Sequence, residues 1–257
     1  MTRRIRNVLY KEWVSLAATP SSLLFVLVIP VLLILQALFL IWLLPIFIAP
    51  DMVSVFVEGS GGLQKTDLFR LLLLSQFRFF VLLIPAMIAN TFATLSIVEE
   101  KLTKTLEPLL ATPVRTWELL TGKALSGVIP AVLITWMSAG LFILGARFLG
   151  WADLLPYALD LTWYLTLFVL TPGISVLSFI FGLIGSSRAT DAKSAQNLAV
   201  LVVLPIFAVI GIQVTGLVQF TPLLTALLSV GIALLDVLLL WPAVRLFARE
   251  SILIRWR

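Results

Sequence analysis

Long, uninterrupted apolar runs constrain the fold of this chain more than any other feature. Several of them reach the roughly 20 helical residues that are needed to cross a bilayer. In lipid, only a helix or a closed barrel satisfies its own backbone hydrogen bonds, and barrel strands alternate apolar and polar residues, which these runs do not. Hydrophobic residues make up 61% of the chain, against roughly 45–50% in soluble domains. The sequence therefore predicts an all-α polytopic membrane protein.

We predict six transmembrane helices within a single transmembrane domain over residues 1–257. The second and fourth are long enough to tilt, or to bend at Pro85 and Pro172. The predicted spans are Ser22–Leu44, Leu71–Val98, Ala124–Leu144, Tyr157–Ile184, Leu198–Val214 and Leu223–Phe247.

The distribution of basic residues predicts the orientation of these spans. With both termini in the cytoplasm, only Lys65, Arg70 and Arg147 of the 18 basic residues fall in outer loops, and Arg78 lies within a span. Basic residues collect on the cytoplasmic side of membrane proteins. We therefore expect cytoplasmic termini and residence in the plasma (inner) membrane. We attribute the net charge of +5 to topology rather than to nucleic-acid binding.

The chain contains neither histidine nor cysteine. This excludes disulfides, thiolate or imidazole metal sites, thiol nucleophiles and histidine acid–base chemistry. No paired carboxylates and no set of nucleophile and base can be named either. We therefore predict that the chain is not an enzyme and has no catalytic, cofactor-binding or metal-binding residues.

Residues 1–20 combine basic residues with apolar residues at helical spacing. Such an amphipathic helix can lie in the membrane interface with its tryptophan at the level of the lipid headgroups. The alternative is a basic flank that only orients the first span. The apolar positions are Ile5, Val8, Leu9, Trp13 and Leu16.

A polar segment over residues 99–123 interrupts the apolar pattern. After the charged residues Glu99 to Lys101, leucines recur at helical spacing and predict a short amphipathic helix over residues 102–110. Thr112-Pro113 then provides an N-cap and first-turn pair for a helix that continues into the third span. The short helix can bind a groove of a soluble partner or lie on the membrane, and the residues alone leave both interpretations open.

The segment from Ile97 to Lys123 resembles the signature of ABC-2 type transporter permeases. The family reads approximately E-K-x-x-G-T-L-E-x-L-L-x-T-P followed by E-L-x-x-G-K. The corresponding strings here are E-K-L-T-K-T-L-E-P-L-L-A-T-P and E-L-L-T-G-K, with Lys104 where the family often has glycine. The resemblance extends over the whole chain, through Lys11-Glu12, Ala195-Gln196 and the tail Arg249 to Leu253.

This resemblance implies a permease subunit of an ABC transporter, with an interfacial N-terminal helix and a cytoplasmic coupling helix. Residues 99–123 would bind a separate ABC ATPase, with the loop from Arg188 to Lys193 as a lesser contact. The assembly would be a permease homodimer, or a related heterodimer, that carries two ATPase subunits and acts as an exporter. The predicted docking residues are Glu100, Lys101, Thr105, Leu106, Glu107, Leu109, Leu110 and Arg115.

The sequence has no ATP site of its own. A P-loop reads Gly-x-x-x-x-Gly-Lys-Ser/Thr, whereas Gly122-Lys123 is preceded by Trp117 at the first glycine position and followed by Ala124. We therefore predict no nucleotide-binding domain here and expect the partner subunit to bind ATP and Mg²⁺. The alternative function is an ATPase-independent channel or secondary carrier, although a carrier would need several intramembrane charges or repeat-related broken helices.

Two charged residues fall within predicted spans. Asp236 lies mid-span, where an unpaired carboxylate costs about 2.5–3.5 kcal/mol on insertion scales. It belongs to a buried pair in the bundle interior, lines a substrate pathway, or stays protonated. Arg78 is close enough to the outer interface to extend its side chain toward water. The apolar spans do not distinguish among ions, drugs, lipids and polysaccharides as substrates.

Overall fold

The computed structural model describes residues 2–17, 20–47, 65–102, 116–188, 204–208, 211–212 and 220–246. Every regular element in these ranges is helical. The first five helices are α1 Thr2–Ala17, α2 Pro20–Phe47, α3 Lys65–Val81, α4 Leu83–Leu102 and α5 Thr116–Phe148. After a 3₁₀ turn at Ala152–Leu154, the chain forms α6 Leu155–Ala158, α7 Leu161–Leu165, a π-helical segment Thr166–Leu170, α8 Thr171–Arg188 and α9 Pro222–Leu246.

Five helical stretches are long and apolar enough to cross a membrane, which confirms the prediction of a helical integral membrane protein. Each coincides with one of the predicted spans. They are Val26–Phe47, Thr66–Val98, Trp117–Phe148, Leu161–Ser186 and Pro222–Arg245. The predicted span Leu198–Val214 lies mostly outside the described residues, of which 204–208 and 211–212 are helical.

The second and fourth spans are irregular next to the prolines that the sequence analysis identified. Pro85 cannot donate a hydrogen bond to the carbonyl of Val81, four residues earlier. Helix α3 ends at Val81, and a turn at Leu82 separates it from α4. The fourth span widens into the π-helical segment immediately before Pro172.

A tryptophan from the third span satisfies a backbone group that this π-helical segment leaves without a donor. The Thr171 amide donates to the Thr166 carbonyl, five residues earlier. In the same register the Leu167 carbonyl would pair with Pro172, which has no N–H. The indole Nε1 of Trp136 donates to the Leu167 carbonyl instead, at 3.0 Å. The irregularity is thus supported by packing, as membrane-embedded backbone requires.

Helix α4 packs along α8 over the most extensive helix–helix interface among the described elements. A Cβ added to Gly182 of α8 would lie 2.7 Å from Asn90 Oδ1 and 2.8 Å from Ala93 Cβ of α4. Small residues permit such close approach of membrane helices. The contact joins the end of the second span firmly to the fourth.

Candidate functional site

The helices that flank residues 103–115 lie side by side at one end of the bundle. Helix α4 ends at Leu102, α5 begins at Thr116, and α1 packs across the first turns of α5. Charged and polar side chains from all three helices meet at this point. We call this group the stem cluster: Lys11, Glu12, Ser96, Glu100 and Lys123.

Lys123 lies at the centre of the stem cluster and is only 1% exposed. Its Nζ donates to Glu12 Oε1 at 3.0 Å and to Ser96 Oγ at 2.5 Å, and it lies 2.9 Å from Glu100 Oε2. An ammonium carries three N–H donors; the third reaches the Ser96 carbonyl at 3.4 Å, so Glu100 Oε2 is an ion-pair contact without a hydrogen bond. The Ser96 hydroxyl in turn donates to Glu12 Oε2 at 2.7 Å.

Lys11 completes the stem cluster from its exposed side. Its Nζ lies 2.5 Å from Glu100 Oε1 and 3.6 Å from Glu12 Oε1. Two ammonium groups thus balance two carboxylates, both of which are buried. Buried charges persist in proteins when they are paired and hydrogen-bonded in this way. The cluster joins α1, the end of α4 and the start of α5 into one unit.

The surroundings shift the pKa of two α1 residues in directions that keep the cluster ionised. Burial acts to raise the pKa of Glu12, but the charge of Lys123 and the hydrogen bond from Ser96 outweigh it and lower the pKa below its ordinary value of 4.5. Burial acts to lower the pKa of Lys11, but the hydrogen bond and charge of Glu100 outweigh it and raise the pKa above 10.5. Both groups are therefore charged at neutral pH.

A glycine allows α1 to approach α5 closely enough for this cluster to form. A Cβ added to Gly122 would lie 2.8 Å from Val8 Cγ1 and 2.9 Å from Val8 Cβ. Real Cβ atoms do not approach other carbons so closely, because packing in protein interiors is already dense. Any larger residue at this position would push α1 away from α5.

Two polar contacts fix α1 along α5 on either side of this glycine. Arg4 NH1 lies 3.6 Å from Glu118 Oε2, and the indole Nε1 of Trp13 donates to the Ser126 carbonyl at 3.1 Å. The two partners on α5 are separated by about two helical turns. Together with the glycine contact, they set the rotation of α1 that points Glu12 into the cluster.

Glu12 is the site residue that the sequence-based interpretation of α1 did not include. It is 5% exposed, whereas the neighbouring Trp13, which was expected at the level of the lipid headgroups, is 42% exposed. Positions 5, 8, 9, 12 and 16 follow helical spacing and share one face. A carboxylate within that apolar stripe is therefore the sequence signal that identifies the site.

The predicted docking residues fall on and beyond the end of α4. Glu100 is buried in the stem cluster and not displayed on the surface. Lys101 belongs to the last turn of α4. Leu102 ends α4, and the rest of the predicted helix over residues 102–110 lies outside the described residues, as do the remaining docking residues: Thr105, Leu106, Glu107, Leu109, Leu110 and Arg115. Arg188 ends α8, and Lys193 also lies outside.

A second ion pair lies at the opposite end of the bundle. Arg78 NH1 lies 3.1 Å and 3.3 Å from the two carboxylate oxygens of Asp160. Asp160 is also the N-cap of α7, where its side chain accepts a hydrogen bond from the Trp163 amide at 2.8 Å. Arg78 is therefore buried beside a carboxylate and does not simply extend toward water as predicted.

The stem cluster and the Arg78–Asp160 ion pair form two charged layers, which are separated by about the thickness of a bilayer core. Next to Arg78, the ring of Phe77 stacks on Phe142 of α5 with centroids 3.5 Å apart. About 19 residues of continuous helix separate Lys123 from Phe142, or about 28 Å at 1.5 Å per residue. A hydrocarbon core is about 30 Å thick. The spacing of the stem cluster and the Arg78 pair along α5 is thus close to the thickness of a hydrocarbon core.

Asp236 lies between these two layers, in the middle of α9, and is 7% exposed. Its Oδ1 has no hydrogen-bond partner among the described residues. Gly173 of α8 packs closely against α9 here: an added Cβ would lie 3.1 Å from Ile232 Cγ2 and 4.0 Å from Asp236 Oδ2. The described part of the chain thus provides no buried partner for this carboxylate. It also contains no group of three or more acidic side chains that could hold a metal ion.

Comparison with known protein families identifies the family of this chain. The family model for ABC-2 family transporter proteins matches residues 64–231, well over half of the chain. The matched range contains the polar segment with the helices α4 and α5 that flank it, the Arg78–Asp160 pair and Gly173. No curated protein and no solved structure matches the sequence. The chain therefore belongs to the ABC-2 family of transporter proteins, as a transmembrane permease.

Proposed function

We propose that this permease is the membrane subunit of an ABC exporter and that a separate ATPase drives it by binding residues 99–123 in the cytoplasm. Family membership supports transport through the membrane domain. The stem cluster is the observation that carries the proposal. It ties both ends of the polar segment to each other and to α1. A segment that only lay on the membrane would need no such attachment.

The stem cluster provides a path by which a force on residues 103–115 reaches the spans. Glu100 lies in the last turns of α4 and Lys123 in the first turns of α5, so a displacement of the segment pulls on both helices. Breaking a buried pair by separating the partners costs about 3–5 kcal/mol. The end of α4, the start of α5 and α1 therefore move together. The close contact of α4 with Gly182 carries the motion to the fourth span.

In this mechanism the docking residues divide into two roles. Glu100 acts from inside, by holding the base of the segment against α1. The others contact the ATPase: Lys101, Thr105, Leu106, Glu107, Leu109, Leu110 and Arg115. ATP and Mg²⁺ are bound by the ATPase subunits, whose closure moves the segment. Substrate then leaves along the interface of two permease copies, either a homodimer or a related heterodimer.

Co-purification tests the proposed partner. The tagged permease is expressed together with its neighbouring genes, and any P-loop ATPase recovered with it is measured. Leu106→Asp and Glu107→Lys should each reduce the recovered ATPase about tenfold or more, because a contact helix loses its apolar face or its charge. Asp153→Lys is the matched control, since this exposed residue lies at the opposite end of the bundle.

Two results would contradict the proposal. The first is that no ATPase accompanies the wild-type chain, or that both docking substitutions leave the recovered amount unchanged. The second is transport by the reconstituted permease alone at the rate of the complex, which would establish the alternative of a channel or secondary carrier. Light scattering on the complex tests the expected assembly of two permeases with two ATPases.

A further inference from the structure

The breaks in the second and fourth spans lie against each other. Helix α3 gives way to α4 at Leu82, and the fourth span widens over the π-helical segment Thr166–Leu170. Leu82 and Leu83 belong to one buried cluster with Leu170 and Ile174. Both spans are therefore interrupted at the same depth of the bundle, at residues that pack together.

Bending at these breaks disrupts few backbone hydrogen bonds. The Val81 carbonyl would pair with Pro85, which has no N–H. The Leu82 carbonyl accepts from the Ala86 amide at 3.4 Å, which is longer than the roughly 2.7–3.2 Å that is usual for such a bond. In the fourth span, Pro172 likewise lacks the N–H that would continue the helix. Hinges in proteins consist of a few residues of this kind at the ends of regular elements.

On the side away from the stem cluster, the two interrupted spans are tied to each other. Arg78 of α3 pairs at 3.1 Å with Asp160 at the start of α7, and both residues lie within about two helical turns of the breaks. Leu74 and Phe77 of α3 share a buried cluster with Trp163 of α7, and α6 also packs on α3. We call these joined helices the distal unit: α3, α6 and α7.

On the side of the stem cluster, α4 and α8 form a separate rigid pair. Gly182 of α8 lies against Asn90 and Ala93 of α4, and Phe92 and Phe179 join the same buried core. In contrast, α2 and α5 run past both breaks as continuous helices. The distal unit is therefore hinged to the pair of α4 and α8, and it packs against a frame of two unbroken helices.

An aromatic contact holds the distal unit against this frame. The ring of Phe77 stacks on that of Phe142 in α5, with centroids 3.5 Å apart and an angle of 10° between the ring planes. Both side chains are buried. Any movement of the distal unit away from α5 must separate these two rings.

We propose that the distal unit swings as one body about Leu82 and the π-helical segment, and that it forms a gate at the end of the bundle opposite the stem cluster. The Arg78–Asp160 pair keeps α3 and α7 together during the swing. The stack of Phe77 on Phe142 holds the gate closed. That the open gate releases substrate rests on the proposed function, whereas the swing itself does not.

Spin-label distances in the purified permease, reconstituted in nanodiscs, test this swing. The chain has no cysteine of its own, so labels attach only where one is introduced. The labelled positions are exposed: Leu72→Cys on α3, Tyr157→Cys on α6 and Leu125→Cys at the stem end of α5. The first two report a distance within the distal unit, and each paired with the third reports its position relative to the frame. Singly labelled chains identify distances between copies.

Phe142→Ala should release the gate. A kink of about 20° moves a label that is about ten residues from the hinge, or about 15 Å away, by about 5 Å. We therefore expect both distances to position 125 to change by that amount, and the distance within the distal unit to change by less than half as much. Leu141→Ala, at an exposed neighbour on α5, is the matched control and should leave all three distances unchanged. Adding Arg78→Gln to Phe142→Ala should change the distance within the unit as well, because α3 then moves without α7.

Phe142→Leu keeps an apolar side chain and repeats the measurement if Phe142→Ala does not fold. Adding Pro85→Ala should reduce the displacement, because the new N–H can pair with the Val81 carbonyl and stiffen the hinge. Unchanged distances to position 125 in the Phe142 variants would overturn the proposal, as would a distance within the distal unit that changes as much as the other two. Because these measurements use the permease alone, their failure is distinct from failure of the ATPase to co-purify.

Discussion

Replacing Lys123 by methionine should destabilise the protein more than any other single change in the stem cluster. The substitution keeps the length of the side chain but removes the ammonium that contacts Glu12, Ser96 and Glu100. Two buried carboxylates then face each other with only the half-exposed Lys11 to balance them. Removing one partner of a buried ion pair costs about 3–5 kcal/mol.

A loss of that size is readily measured by thermal unfolding. For a chain of this length, each kcal/mol corresponds to about 2–4 °C in Tm, so Lys123→Met should lower the Tm by on the order of 10 °C. The eight tryptophans of the chain allow unfolding to be followed by intrinsic fluorescence in detergent. Arg147→Met provides the matched control, because Arg147 is an exposed residue at the far end of the same helix, where substitutions change stability by about 0.5 kcal/mol or less.

A double variant separates charge imbalance from lost packing. Lys123→Met combined with Glu12→Gln leaves one lysine and one glutamate in the cluster, and it should recover more than half of the Tm lost by Lys123→Met alone. A Lys123→Met variant that unfolds within about 2 °C of wild type would refute the assignment of a stabilising charge cluster. So would a double variant whose loss equals the sum of the two single losses.

Three further predictions concern the attachment of α1 and the π-helical segment. Because Glu12 has a lowered pKa in the folded state, its contribution is present above pH 4.5 and is lost as the pH falls. Thermal melts from neutral pH to about pH 3 should therefore show a steeper decline of Tm in wild type than in Glu12→Gln. Gly122→Ala should lower the free energy of unfolding by about 1–3 kcal/mol, because the new methyl group presses on Val8. Adding Val8→Ala should restore most of the lost Tm. An unchanged Tm in the single variant would exclude the close contact. Trp136→Phe should lower the free energy of unfolding by about 1–3 kcal/mol, because the Leu167 carbonyl loses its donor. A Tm equal to that of wild type would show that another group donates to this carbonyl.

Helical periodicity and proline chemistry account for the parts of the fold that were predicted correctly. Apolar runs of span length predict membrane helices, and five of the six predicted spans coincide with described helical spans. Pro85 and Pro172 mark the irregularities of the second and fourth spans, because a missing N–H is a local property of the chain. The nature of each irregularity was not predictable, since the π-helical register also depends on Trp136 from another helix.

The stem cluster shows why side-chain partners are harder to predict than spans. The sequence places Glu100 and Lys123 at the two ends of the polar segment, and the resemblance to ABC-2 permeases implied that Glu100 contacts the ATPase. In the structure it is buried against Lys11, which is 89 residues away in the chain. No local pattern specifies such a pair, because it depends on how α1 packs on α5.

The sequence by itself determined that this protein lives in a membrane, that its elements are helices and that its spacing of residues matches the ABC-2 family. These properties follow from the length of apolar runs, from backbone hydrogen bonding in lipid and from a motif that is continuous in the chain. Only the tertiary structure decided which charges are paired. A charge in a low-dielectric interior is tolerated or not according to what lies within a few ångströms of it, and for Lys123 and Asp236 those neighbours come from other helices. Tertiary packing therefore surrounds Lys123 with partners from two other helices and leaves Asp236 Oδ1 without a hydrogen-bond partner among the described residues.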